Sequence, residues 1–268
     1  MIENYVFMTV LSNEKYIAGV KALRKSLERV KSKYKLAILV PDEVKKDLAE
    51  SLLKKHVLNK NCFVCSQPQL TFEAPQEYCF KEHHYWENTF FKLRVSNCVQ
   101  FSKIILIDSD MMVLKNLDHL FDCPHYTATS HTAINKDWVK LNSGLLVICP
   151  SNEFHEILIS NILPTIKKRF EEKRRTSDQD VFQETFPDWE EHKELILPEK
   201  YNAFFEQVYK IKKALNYNYK DFHIIHFVGE SKPFTRSWKK NVRLLLSKIK
   251  HGRFWQFYLY LKYLLYCI

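Results

Sequence analysis

Glycine is scarce: of 268 residues only four are glycine, at positions 19, 144, 229 and 252. Neither a P-loop nor a dinucleotide fingerprint can be written with isolated glycines, so any nucleotide bound here needs another means of neutralising its phosphates. Long apolar runs are also missing, and none reaches the roughly 18 residues of a spanning helix. The opening Met1-Ile2-Glu3-Asn4 has no basic stretch before the apolar residues that follow and no cleavage site after them, so no signal peptide is expected. Acidic residues are absent from 231 to 268, where nine Lys or Arg fall. The net charge of +10 therefore sits almost wholly in the tail, on a nearly neutral body. No zinc-finger, RNP or helix-turn-helix pattern accompanies that charge, and nucleic acid is not an expected partner. A hydrophobic content of 46% excludes disorder and supplies ample core.

The chain divides into a body, residues 1–235, and a basic, aromatic C-terminal tail, residues 236–268. In the tail, Arg236, Lys239, Lys240 and Arg243 alternate with Trp238, Val242 and Leu244; Phe254 to Ile268 is then dense in Tyr, Trp, Phe and Leu. Such a segment suits an anionic membrane surface, drawn by headgroup charge and held by its aromatics. A helix packed on the body's own core, or a contact in a homo-oligomer, fits the same residues.

Seven cysteines without a signal peptide point to free thiols and a reducing, cytoplasmic location, including the cytosolic face of a membrane. Cys62-x-x-Cys65 with Cys79 and His83 has the count of a small zinc site. Residues three apart on a strand face opposite sides, however, so buried thiols are expected instead.

Apolar, β-rich runs alternate with helical periodicity. Tyr5 to Leu11 reads as a buried strand, and Ser12 or Asn13 caps a helix carrying Ile17, Val20, Leu23 and Leu27. Leu36–Val40 is a second strand, a helix spans Glu43 to Lys55, and a third strand lies near Val57–Cys65. Residues 66–87 read as a long loop, Phe90–Val99 as a helix and Lys103–Ile107 as a strand. Beyond these, Gly144–Ile148 is strand-like, Asn152–Phe170 is helical with a kink or break at Pro164, Asp178–Phe186 is helical, and Phe222–Val228 is a buried strand. The pattern predicts an α/β fold: a single Rossmann-like domain with a mixed, mainly parallel central sheet. In such sheets ligands bind beyond the carboxyl ends of the strands.

Asp108-Ser109-Asp110 lies at such an end, after Ile104-Ile105-Leu106-Ile107. Two carboxylates there can reach one divalent cation, Mn²⁺ or Mg²⁺, and a cation bridging a diphosphate would replace the missing glycine cradle. Alone, Asp-x-Asp is more often a solvated turn.

Seven segments in order change that reading: Phe7-Met8-Thr9-Val10 with Asn13 and Tyr16; Phe91-Lys92-Leu93; Phe101 to Asp110; Leu141-Asn142-Ser143-Gly144-Leu145; Ser177-Asp178-Gln179-Asp180; Leu197 to Asn202; and His226-Phe227-Val228-Gly229-Glu230-Ser231-Lys232-Pro233-Phe234. Over residues 4–235 the sequence resembles the family 8 retaining glycosyltransferases, the glycogenin and galactinol-synthase group. The resemblance implies a GT-A fold and transfer of a hexose (glucose, galactose or N-acetylglucosamine) from a UDP-sugar to a hydroxyl of a glycan, glycolipid or other acceptor. It implies that His226 completes the metal site with Asp108 and Asp110. Thr9, Val10, Ser12, Asn13 and Tyr16 match positions around uracil and ribose, and Lys92 and Ser109 face the donor. Asn142, Ser143 and Gly144 lie near the sugar, and Gly229 and Lys232 near the β-phosphate. Asp178 and Gln179 match the pair near the anomeric carbon, with Lys232 as the positive charge facing the leaving nucleotide.

Other readings stand beside this one. A nucleotidyltransferase shares the Asp-x-Asp site but would want a glycine-rich or basic triphosphate loop. An inactive lipid- or partner-binding module would not need intact Asp108, Asp110, Asp178 and His226. Tyr209, with Tyr217 and Tyr219 nearby, falls in the Asn202–His226 interval where glycogenin carries its self-glucosylated tyrosine. A galactinol-synthase-like transfer to a soluble acceptor is a further alternative.

Overall fold

Alternate residues along the first strands belong to two different hydrophobic clusters. On β1 (Tyr5–Val10), Val6 and Met8 face one and Phe7 the other; on β4 (Lys103–Ile107), Ile104 and Leu106 oppose Ile105 and Ile107. A sheet buried on both faces is the consequence, which explains why these strands read as continuous apolar runs. The computed structural model of the chain describes residues 4–72 and 89–268. Its main sheet has seven strands in the order β3-β2-β1-β4-β7-β6-β8. β2 is Lys35–Pro41, β3 Cys62–Gln67, β5 Met111–Val113, β6 Ala128–Thr129, β7 Asn142–Ile148 and β8 Ile196–Leu197. The pairs from β3 to β4 are parallel, β7 is antiparallel to both β4 and β6, and β8 is again parallel to β6.

Two helices, α1 (Ile17–Arg29) and α2 (Lys45–Lys54), cover one face. The other is covered by a 3-10 segment, Phe91–Asn97, and by α3 (Asn152–Ser160), α4 (Ile162–Glu171) and α5 (Asp178–Thr185). The long helix expected over 152–170 is two helices that break at Asn161. Pro164 sits in the first turn of the second, where its missing N–H is not needed. The third strand begins later than its apolar run because α2 ends in a tight cap: His56 has φ +53° and Val57 N–H bonds to Leu52 O at 2.9 Å. Cys62 and Cys65 both lie on β3 and pack into opposite clusters, so they do not converge on one ion. Cys79 and His83, and most of the expected 66–87 loop, lie outside the described residues.

β4 runs into the Asp108-Ser109-Asp110 turn, and the chain then leaves the main sheet for a second one ordered β5-β10-β9. There β10 (Ile224–His226) pairs antiparallel with β5, His226 opposite Met111, and parallel with β9 (Ala203–Phe204), His226 opposite Phe204. Around this sheet lie α6 (Val208–Ala214), α7 (Trp238–Lys250) and α8 (Phe254–Cys267). The tail is thus two helices. Leu259, Tyr260 and Tyr263 are buried, and the Tyr263 ring stacks on Phe227 at 4.1 Å. On the same two helices Trp238, Leu246, Phe254 and Leu265 are exposed, Trp238 at 70%. No helix among the described residues is long and apolar enough to cross a membrane.

Candidate active site

The switch from main sheet to small sheet brings three ligand atoms together. Asp108 closes β4 with its N–H on Gly144 O at 2.9 Å, and Phe227 N–H bonds to Asp110 O at 2.9 Å, tying the turn to the end of β10. Asp108, Asp110 and His226 each offer an atom within 4.8 Å of the others. His226 Nε2 lies 3.1 Å from Asp110 Oδ1 and 3.8 Å from Asp108 Oδ2.

Backbone donors settle the polarity of the amides behind this cluster. Gly144 N–H donates to Asn142 Oδ1 (3.0 Å) and Ser143 N–H to Gln179 Oε1 (3.2 Å), so both oxygens are acceptors. Asn202 Nδ2 therefore donates to Asn142 Oδ1 (2.8 Å), which turns Asn202 Oδ1 toward His226 Nδ1 at 2.9 Å. The Nδ1 proton is committed to Asn202, which leaves Nε2 to face the carboxylates. Two carboxylates and an imidazole nitrogen that converge in this way form a donor set suited to Mn²⁺ or Mg²⁺. The residues present fit a divalent ion.

Two lysines flank the cluster. Lys92 Nζ is 2.7 Å from Asp108 Oδ1, 3.4 Å from Asp178 Oδ2 and 3.3 Å from Ser143 Oγ. Burial acts to lower its pKa, but Asp108 and Asp178 together hold it above the usual lysine value. Lys232 Nζ lies 2.9 Å from Asp110 Oδ2, and despite burial its pKa is likewise raised by Asp110. Burial pushes the Asp108 carboxyl up against the pull of Lys92. Asp110 is also buried, yet the charges of His226 and Lys232 hold it well below the usual carboxylate range.

Two adjoining cavities open on this cluster. The first, about 550 Å³, is lined by Val10, Ser12, Asn13, Tyr16, Thr89 and Ser109, and it shares Lys92, Asp108, Asp110, Asp178 and Lys232 with the second. The second, about 300 Å³, adds Asn142, Ser143, Gly144, Gln179, His226 and Gly229. Every residue that the resemblance places at the metal or the sugar donor lines one or the other except Thr9, whose side chain is buried within β1. Asn13 Oδ1 accepts from Lys15 N–H, and the Tyr16 ring meets Phe234 edge-on at 5.8 Å. Ser143 Oγ donates to Asp178 Oδ2 at 3.0 Å.

The two glycines of the motifs play different parts. Gly229 has φ +58° with open space where a Cβ would stand, so it serves the turn after β10. A Cβ on Gly144 would come within 2.8 Å of the His226 ring and of Met111, so this glycine makes room for His226 at the wall of the second cavity. Tyr209 lies on α6 against Tyr219 and is not among the residues lining either cavity. Sequence reasoning missed Asn202 as a functional residue. It is fully buried, and its only sequence signal was membership of the Leu197–Asn202 segment.

A mainly parallel α/β sheet thus carries an Asp-x-Asp turn able to hold a divalent ion beside a lysine-flanked, two-part cavity, an arrangement suited to an anionic ligand. The family model for glycosyl transferase family 8 matches residues 7–239, and the chain belongs to that family. Human glycogenin-2 is 26% identical over 238 residues, covering 87% of this chain and 44% of that protein. Galactinol synthase 3 of Arabidopsis thaliana is 33% identical over 125 residues, covering 46% of this chain and 35% of its own. The chain thus spans less than half the length of these relatives. Among solved structures, the galactosyltransferase LgtC in complex with donor and acceptor sugar analogues shares the fold, with a TM-score of 0.55 at 13% identity, covering 85% of this chain and 89% of that one.

Proposed function

We propose that this chain transfers a hexose from a UDP-hexose to an acceptor hydroxyl with retention of configuration, using Mn²⁺ or Mg²⁺ held by Asp108, Asp110 and His226. The observation that carries the reading is the Asp108–Asp110–His226 cluster at the junction of two cavities, with Lys92 and Lys232 on its flanks. Val10, Ser12, Asn13 and Tyr16 line the first cavity, where uracil and ribose would sit, and Asn142, Ser143, Asp178 and Gln179 line the second, where the hexose would sit. When bound, the cation supplies positive charge against the diphosphate. Lys232 adds a fixed positive charge at the same place as the bond from the anomeric carbon to the β-phosphate oxygen breaks. Asp178, oriented by Lys92 and Ser143, puts a carboxylate beside the developing oxocarbenium ion. The acceptor oxygen bonds to the anomeric carbon, and its proton passes to the departing β-phosphate oxygen, so no separate base is required.

The exposed Trp238 and Leu246 of α7 and Phe254 and Leu265 of α8, in a tail rich in Lys and Arg, support an enzyme resting on an anionic membrane surface and acting on a glycan or glycolipid there. Two measurements test the reading. Mn²⁺-dependent hydrolysis of UDP-glucose, UDP-galactose or UDP-N-acetylglucosamine without acceptor is expected in the wild type and lost in Asp108→Ala; equal hydrolysis in both sinks the metal assignment. Sedimentation with anionic liposomes at low salt is expected to weaken when Trp238 and Phe254 are changed to Ser, and indifference of the full chain to liposomes removes the membrane part.

A further inference from the structure

A third cavity, about 740 Å³, lies between the 131–142 loop, α4 and α5, and it shares Asn142 and Gln179 with the sugar-side cavity. A molecule seated in it would therefore adjoin whatever occupies the sugar side. It has more than twice the volume of that cavity. Its rim carries Trp138, whose side chain is 48% exposed although its backbone is anchored on both sides: His131 N–H donates to Trp138 O at 3.1 Å, and Trp138 N–H to Asn135 O at 3.0 Å. A large aromatic held open to solvent on a pinned loop gives up apolar burial that a ligand can restore.

The charges of the cavity cancel. Four basic and four acidic side chains line it. Arg169 lies 2.7 Å from Glu172 and 3.0 Å from Asp180, and Lys168 lies 2.7 Å from Glu184. A phosphate or uronate would find no net positive charge to offset its desolvation. A polyhydroxylated ring would find fixed donors and acceptors on the walls and an indole face for its C–H surface.

We propose that this cavity is the acceptor site and that it takes an uncharged saccharide packed against Trp138, an inference that rests on the UDP-hexose transfer proposed above. The acceptor hydroxyl then approaches the donor sugar past Gln179, whose Oε1 is held by Ser143 N–H and Asn142 Nδ2.

The test is an array of immobilised mono- to tetrasaccharides, neutral ones beside uronate- and sulfate-bearing ones, incubated with the Mn²⁺-loaded protein and radiolabelled UDP-glucose, UDP-galactose and UDP-N-acetylglucosamine. Label is expected on neutral saccharides. For the best of them, Trp138→Ala is expected to raise the acceptor KM ten-fold or more, with Trp138→Phe recovering most of the loss. UDP binding to the Mn²⁺-loaded protein, followed by calorimetry, reports separately on the donor site. Label confined to acidic saccharides, no label despite UDP binding, or an acceptor KM in Trp138→Ala within two-fold of wild type overturns the acceptor assignment. Failure of the wild type to bind UDP at all overturns the transfer reading itself, and this inference with it.

Discussion

Replacing Asn202 by Leu tests how His226 is held for the proposed metal. Asn202 is fully buried, accepts the His226 Nδ1 proton at 2.9 Å and donates to Asn142 Oδ1 at 2.8 Å. Leucine matches its size but does neither. Asn142 Oδ1 keeps its bond from Gly144 N–H, so that end of the network survives. The His226 Nδ1 proton is left buried without a partner, and the imidazole relieves this by moving the proton to Nε2, where it points at Asp110 and opposes a cation. Removing an outer partner of a metal-ligating histidine typically weakens metal binding about 10- to 100-fold, or about 1.4 to 2.7 kcal/mol. The expected result is a rise of that size in the Mn²⁺ concentration giving half-maximal UDP-hexose hydrolysis, matched by weaker Mn²⁺ binding in calorimetry with UDP present. Asn202→Asp, which can still accept from Nδ1, should recover much of the metal affinity. A folded Asn202→Leu protein with an unchanged Mn²⁺ midpoint would refute the reasoning.

Acid stability offers a second prediction. Burial pushes the His125 pKa down to about 4, with the Lys103 charge assisting, and His125 Nδ1 accepts Cys149 N–H at 3.0 Å. With an unfolded value near 6.5, the unfolded chain binds the proton that the folded chain refuses between pH 6.5 and 4, so stability falls as pH is lowered through that window. The loss from this group is about 2 kcal/mol at pH 5. His125→Asn, which can still accept the N–H, should flatten the fall in Tm between pH 7 and 5; parallel curves for the two proteins would contradict this. A third concerns the tail: a chain ending at Thr235 loses Leu259, Tyr260 and Tyr263 from the cluster around Phe227, at about 1.5 to 3 kcal/mol for each large apolar side chain. Thermal unfolding should lose cooperativity or drop well below that of the full chain, and an equal Tm would show that the tail adds nothing to the fold.

Much of the fold was legible because its signals are local. β1 and β4 announce themselves as unbroken apolar runs because both faces of each strand are buried, and Asp108-Ser109-Asp110 stands out because it interrupts such a run at a strand end. Strand bounds were less legible: the run at Val57 continues an apolar pattern, but a left-handed residue at His56 turns the chain before β3 begins. The site's ordered segments could be read one by one, and their convergence could not. Asp110 and His226 are 116 residues apart and meet through the pairing of β5 with β10, which no local periodicity encodes.

Sequence alone therefore determined the alternation of strand and helix, the family and the inventory of charged groups, all of which depend on neighbours along the chain. Tertiary structure decided which amide orients His226, that Gly144 makes room for that histidine, that the cysteines of β3 face apart, and which side of the tail is buried. A tail dense in Tyr, Trp and Leu has apolar residues in nearly every direction, so composition could not say which of them the body would claim. Packing against Phe227 settled it by burying Leu259, Tyr260 and Tyr263 while leaving Phe254 and Leu265 in solvent.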